Sequence, residues 1–274
     1  MGHLDVPGAS LHYETAGQGP LLLLIPGANG DASIFTQLSQ YLTDRFTVVT
    51  YDRRGFSRSQ LLGPQNYELR LETDADDAQR LVQHLSDQPA TVFGSSSGAI
   101  VALELLIRHP SVIHAVISHE APAVNLLPDP DASKWRAFFT EVYETYRQVG
   151  IERGMQKFVA GVLSDQEAEL LKERAKNANG VERSPQNIEH WYEHELRQYT
   201  SADLDVAALA TSSDRLVLAG GRESHEHFPY LSNAALARKF GLNILELPGG
   251  HLGYAFHAAQ FAQELSDALE KREG

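Results

Sequence analysis

A serine at the centre of Gly94-Ser95-Ser96-Ser97-Gly98 stands between the apolar run Ala90-Thr91-Val92-Phe93 and a helix-like stretch from Ala99 to Arg108. Strand, tight turn and helix in that order are what a G-x-S-x-G nucleophile elbow requires. The turn holds its central residue in a strained backbone conformation, and the flanking glycines let helix and strand approach closely. Ser96 is therefore expected to present its hydroxyl at the edge of a sheet. A serine hydroxyl is a poor nucleophile at neutral pH, so it needs a base, a carboxylate to orient that base, and donors for the oxyanion that develops on an attacked carbonyl. Among twelve histidines, His251 has a distinct setting: Leu247-Pro248-Gly249-Gly250-His251 ends a strand-like run in two glycines before a final helix. It is the candidate base. One oxyanion donor is expected from the Ser97 N–H, at a helix start where amides lack intrahelical partners and the dipole favours negative charge. A second is expected from the loop Pro26-Gly27-Ala28-Asn29-Gly30-Asp31, with the Ala28 N–H as the choice.

The elements that must position these groups alternate along the chain. Leu21–Ile25 reads as strand, Ala32–Leu42 as helix, Phe46–Thr50 as strand, Leu69–Leu85 as helix, and Val112–Ile117 as strand after the elbow helix. Alternation resumes with strand Arg215–Leu218, helix Asn233–Phe240, strand Asn243–Leu247 and a closing helix from Ala258 to Glu270. Continuous apolar strands imply burial on both faces, hence a parallel sheet covered by helices. Leu4–Val6 and Leu11–Glu14 flank Pro7-Gly8 and predict an antiparallel hairpin at the sheet edge. Between Pro122 and about Ala210 the strands stop, and a helical region begins in Leu127-Pro128-Asp129-Pro130-Asp131. There Trp135, Phe138, Phe139, Val142 and Tyr146 form one apolar stripe, expected to pack this region onto the core rather than to bind ligand.

Composition narrows the class. A chain of 274 residues, 42% hydrophobic, can bury a substantial core. A formal charge of -13 argues against nucleic acid or an anionic membrane as partner, because polyphosphate binding needs a basic surface. The absence of cysteine excludes disulfides and thiol nucleophiles and fits a reducing, cytoplasmic setting. Met1 to Val6 carries no targeting pattern, and Leu21–Pro26, the longest apolar run, is too short to span a bilayer. His190-Trp191-Tyr192-Glu193-His194 has the H-x-x-E-H spelling of some zinc peptidases, but it lies away from the strand ends without an identifiable third ligand. It is expected to be an amphipathic helix with Trp191 inward. His225-Glu226-His227 is expected to be a solvated loop. No phosphate-binding glycine motif follows a strand, and no cofactor or metal is called for.

Together the motifs resemble the α/β-hydrolase fold serine hydrolases. The likeness runs through Pro26-Gly27-Ala28-Asn29-Gly30, Tyr51-Asp52-Arg53-Arg54-Gly55-Phe56-Ser57-Arg58-Ser59, the elbow, Leu218-Ala219-Gly220-Gly221-Arg222-Glu223 and the His251 loop. It implies a mostly parallel eight-stranded sheet flanked by helices, with residues 1–122 and 211–274 as core. Residues 123–210 would be a helical cap inserted after the sixth strand. Pro26 replaces the family's frequent His, at little cost because the inferred donor is backbone. Asp52 and Arg53 are expected to fix loops rather than react.

The orienting acid has two candidates. Most of the family places it after the seventh strand, where Glu223 stands. A smaller group, resembling the zearalenone lactonases, uses a Glu in a His-Glu dipeptide after the sixth strand, matched here by Ser118-His119-Glu120-Ala121-Pro122. Glu120 is favoured because the likeness extends to Ser96-Ser97-Gly98 and to His251-Leu252-Gly253-Tyr254 followed by His257. The resemblance implies hydrolysis of a small to medium apolar ester or lactone, a macrolactone if it reaches specificity, with Asn29, Trp191 and Tyr254 as substrate-binding residues. Carbon–carbon bond hydrolases and small-molecule receptors share the fold and are the alternatives. The oligomeric state is left open.

Overall fold

Successive residues of the run Leu21–Ile25 belong to different cores. In the computed structural model, which describes residues 1–177 and 185–273, Leu21, Leu23 and Ile25 join one apolar cluster, while Leu22 and Leu24 join another. The same division separates Val92 from Phe93, Val116 from Ile117, and Leu216 and Leu218 from Val217 and Ala219. Successive side chains of a strand point to opposite faces, so a run apolar throughout must be covered on both sides. Each fully buried Leu or Val contributes about 1.5–3 kcal/mol.

The strands are β1 (Gly2–Val6), β2 (Ala9–Ala16), β3 (Leu21–Ile25), β4 (Thr47–Tyr51), β5 (Gln60–Leu61), β6 (Ala90–Ser95), β7 (Ile113–His119), β8 (Leu216–Gly221) and β9 (Ile244–Leu247). Eight of them follow the order β1-β2-β4-β3-β6-β7-β8-β9, with β5 paired to β2 beside that path. Six, from β4 through β9 along the order, run parallel, and the β1/β2 hairpin pairs antiparallel around Pro7-Gly8. The two-residue β5 had no counterpart in the sequence reading. It is too short to show a hydrophobic period, and its pairing of Leu61 with Ala9 depends on the hairpin already being in place.

Arg70–Leu85 and Ser97–Arg108 cover one face, and Thr36–Leu42 with Ala258–Glu273 the other. The expected helix over 32–42 is divided: Ala32–Phe35 forms a tighter 3-10 turn, capped by the Asp31 carboxylate accepting from the Ser33 N–H at 2.7 Å. The helix expected from Asn233 begins earlier, at Phe228, with Pro229 in its first turn where a missing N–H costs nothing.

Between β7 and β8 lie the helices Asp131–Val149, Ile151–Val162, Asp165–Asn177, Pro185–His194, Leu196–Thr200 and Val206–Thr211; residues 178–184 of the expected cap lie outside the described residues. The aromatic stripe makes packing contacts. Trp135 stacks on Phe228 with ring centres 4.3 Å apart, and Tyr146 stacks on Tyr192 at 4.3 Å. None of the stripe's members lines the cavity described next.

Candidate active site

The parallel strands deliver their C-terminal ends to one edge, the usual place for a site in an α/β sheet. Ser96 follows β6 directly at φ 56°, ψ -125°, and Ser97 begins the following helix. A Cβ on Gly98 would sit 2.2 Å from the Ile25 carbonyl oxygen, and one on Gly94 would sit 2.2 Å from the Gly98 oxygen. Only glycine lets helix and strands close to this distance. Among the described residues three non-glycines adopt positive φ, namely Ser57, Ser96 and Glu120. Two of these sit at adjacent strand ends, and strain concentrated in this way is characteristic of functional sites.

The end of β7 serves both neighbours. Its His119 carbonyl accepts the Ser96 N–H at 3.0 Å, and the next residue, Glu120, is fully buried. Glu120 Oε2 lies 2.7 Å from His251 Nδ1, and Oε1 accepts the Gly221 N–H at 2.8 Å. Burial alone would push this carboxyl up, but the hydrogen bond and charge of His251, with the Gly221 amide, hold it below its ordinary value. Burial likewise pushes the His251 imidazole down, and the Glu120 hydrogen bond and charge, helped by Glu167, carry it above its ordinary value. A carboxylate at Nδ1 places the proton there and leaves Nε2 free to accept one. Buried His119 itself is pushed down to about 4 by burial and is neutral at physiological pH.

Glu223 does not join this group: its side chain is exposed, and only its backbone N–H engages the His251 loop, at the Gly249 oxygen 3.0 Å away. Of the two acids considered from the sequence, Glu120 is the one beside His251. The Gly220-Gly221 pair that ends β8 contributes an amide to that acid rather than an acid of its own.

Ser96 and His251 line one cavity of about 90 Å³ together with Ala28, Asn29, Trp191 and Tyr254. The rest of its wall is mostly apolar, including Ile34, Met155, Phe158, Val162, Leu171 and Ile188. Ser97 is buried at the elbow and is not part of this lining. The loop bearing Ala28 is held from behind by Arg53, whose Nε donates to the Pro26 oxygen at 3.1 Å and whose Nη2 donates to the Gly27 oxygen at 2.9 Å. In a trans peptide the N–H points opposite to the preceding C=O, so the Ala28 N–H faces away from Arg53. A Cβ on Gly27 would lie 3.0 Å from Ser96 Cβ, which puts this loop directly against the elbow. Asp52 ties down the neighbouring turn, accepting the Ala32 N–H at 2.9 Å and Arg58 Nε at 2.7 Å.

Residues that the sequence reading passed over also converge here. Glu195 accepts from Arg53 at 2.8 and 2.7 Å and from Arg70 at 2.9 Å, joining the helical region to the loop-fixing arginine. Asn187 donates to the Asn29 oxygen at 3.3 Å and accepts the Ser57 N–H at 2.9 Å. Glu167 accepts the Leu252 N–H, next to His251, at 2.6 Å. Glu195 and Asn187 carried no pattern that could have marked them. Glu167 did, because Ser164-Asp165-Gln166-Glu167 spells a capping box.

His190 packs edge-on against Phe56 at 4.9 Å, His194 stacks on Tyr67 at 3.6 Å, and Glu193 accepts hydrogen bonds from Tyr143 and Tyr146. The two imidazoles pack edge-on against each other with ring centres 4.8 Å apart while Glu193 turns to the tyrosines, and among the described residues no group of three His, Asp or Glu is arranged to hold a metal ion. Among the same residues no helix is long and apolar enough to cross a membrane.

The family model described as "alpha/beta hydrolase fold" matches residues 20–258, and the chain belongs to that family. It is 37% identical over 274 residues to the uncharacterized hydrolase YraK of Bacillus subtilis (strain 168), covering 98% of this chain and 96% of that one. It is 27% identical to a zearalenone hydrolase of Bionectria ochroleuca, covering 96% and 95% of the two chains. Among solved structures, a thermophilic esterase from Thermogutta terrifontis superposes with a TM-score of 0.77 at 19% identity, with 100% of each chain covered. That last likeness speaks to the fold.

Proposed function

We propose that the protein is a serine hydrolase that cleaves a carboxylic ester or lactone through an acyl-enzyme. Ser96 Oγ attacks the carbonyl, and His251 Nε2 takes its proton and returns it to the leaving alkoxide. Glu120 keeps the imidazole in the right tautomer and stabilises its charged form. The tetrahedral anion is held by the N–H groups of Ala28 and Ser97, each worth about 100- to 1000-fold in rate. Water, deprotonated by the same imidazole, then releases the acid. The observation that carries this is the 2.7 Å contact between buried Glu120 and His251, whose ring lines one cavity with the strained Ser96. The name of the zearalenone hydrolase relative is consistent with such chemistry.

Trp191 and Tyr254 supply apolar wall and Asn29 a polar contact, with residues 123–210 acting as a cap over the strand ends. The wall of the cavity, about 90 Å³ in volume, is mostly apolar. Small to medium neutral esters and lactones suit such a wall.

The test is turnover of a panel of p-nitrophenyl esters, lactones and carbon–carbon cleavage substrates, together with labelling by a fluorophosphonate. Ser96→Ala is expected to abolish the label and to lower ester turnover by on the order of 10⁴-fold or more. Wild-type protein that folds but takes no label would overturn the assignment of Ser96.

A further inference from the structure

Glu167 is a charged residue of the helical region whose side chain is 4% exposed, and it makes two sets of contacts. The first is local: Ser164 Oγ accepts the Glu167 N–H at 3.2 Å while Glu167 Oε2 accepts the Ser164 N–H at 3.5 Å, the reciprocal pair of a capping box at the start of Asp165–Asn177, and Oε2 also accepts from Ser164 Oγ at 3.2 Å. A capping box accounts for one carboxylate oxygen on a helix surface. It does not account for the second set, in which Oε1 reaches across to the Leu252 N–H at 2.6 Å. That amide lies 85 residues away in sequence and belongs to the residue following His251.

The loop is shaped to receive this carboxylate. A Cβ on Gly250 would lie 2.7 Å from Glu167 Cδ, Oε1 and Oε2, so any side chain before His251 would displace it. Gly250 thus leaves the space into which the carboxylate descends. The imidazole is then gripped from two directions, by Glu120 at Nδ1 and through its own backbone by Glu167.

We propose that Glu167 is a positioning residue for His251, fixing the base's loop from the cap and thereby making the catalytic imidazole fully ordered only when the cap is seated. Resting on the serine-hydrolase reading for its kinetic consequence, it adds a link between the cap and the base. Met155, Phe158, Leu171 and Trp191 wall the cavity beside His251 from the same helical region, so the Glu167 contact is the connection by which a shift of that region reaches the base. The charged and titratable groups around the imidazole are Glu120 and His119 from β7 and Glu167 from the cap. Because the Glu167 charge helps to raise the imidazole, removing it lowers the His251 pKa.

Two variants and a control separate positioning from helix capping. Glu167→Ala removes both acceptors and is expected to lower kcat by about 10- to 100-fold with KM within about threefold, as for a displaced catalytic group. Glu167→Gln keeps an acceptor for the Leu252 N–H but not the charge. It should recover most of kcat while shifting the acid limb of kcat/KM, and the His251 imidazole titration followed by NMR, to lower pH. Ser164→Ala should lower the melting temperature by about 2 °C and leave that titration unchanged. Folded Glu167→Ala and Glu167→Gln with kcat, acid limb and His251 titration all at wild-type values would overturn the proposal. The titration needs no substrate, so it tests Glu167 even if no ester is turned over, the result that would instead sink the serine-hydrolase reading.

Discussion

Glu120 and Asp74 are both carboxylates with at most 1% exposure, both are held ionised, and they differ in the partners that hold them. Burial pushes each upward. For Glu120 the opposing influence is His251, and for Asp74 it is the charges of Arg70 and Arg53 with a hydrogen bond from Tyr199. Arg53 donates to Asp74 at 2.7 Å and, in bidentate fashion, to Glu195, so two guanidinium groups and two carboxylates neutralise one another behind the Ala28 loop. A guanidinium never gives up its proton in a protein, so this cluster is a fixed scaffold. An imidazole does so near neutrality, so the same kind of buried carboxylate, placed beside His251, has a partner able to exchange a proton. What separates the two is the partner's basicity rather than depth or distance.

The largest expected effect tests the working half of that contrast. Glu120→Gln keeps an acceptor for Gly221 but offers an amide to His251 Nδ1, favouring the wrong tautomer, and kcat should fall on the order of 100-fold or more with little change in melting temperature. The scaffold should respond the other way. Glu195→Gln leaves Arg53 and Arg70 short of one negative charge, which costs about 3 kcal/mol and roughly 10 °C in melting temperature, while kcat falls less than about tenfold. Activity lost as deeply in Glu195→Gln as in Glu120→Gln, with stability intact, would erase the distinction.

A smaller effect separates the two clusters by pH. His251 is raised above its ordinary 6.5, so kcat/KM for a neutral ester should climb with pH through a midpoint above that value. The midpoint should drop in Glu120→Gln and stay in place in Glu195→Gln. The stability linkage has opposite signs. Glu120 and Asp74 are depressed, so their contributions are complete above the ordinary carboxylate range and are lost as pH falls through the folded values. The His251 contribution is complete below 6.5 and is lost as pH rises through its folded value. The smallest expected effect is that of Glu223→Gln, within about twofold of wild type on every measure, because that side chain is exposed.

Much of this was legible from local pattern. Strands buried on both faces showed as unbroken apolar runs, the tight turn at Ser96 as two glycines around a serine, and the His251 loop as a glycine pair, because each is imposed by neighbours within a few residues. The short strand β5, additional to the expected eight, was not legible, since two residues carry no period and their pairing is chosen by a hairpin elsewhere. Helix starts at Thr36 and Phe228 also differed from expectation, each shifted by an adjoining turn or proline.

By itself the sequence determined the alternation of strands and helices, the strained serine and a choice between two acids. Tertiary structure decided the rest: that Glu120 and not Glu223 meets His251, that Arg53 and Glu195 back the Ala28 loop, and that Glu167 reaches the His251 loop from 85 residues away. The reason is physical. Local propensity and periodicity act over a few residues, whereas a buried carboxylate finds its partner only when the sheet order brings side chains from separate strand ends within about 3 Å, and that order is set by the packing of the whole chain.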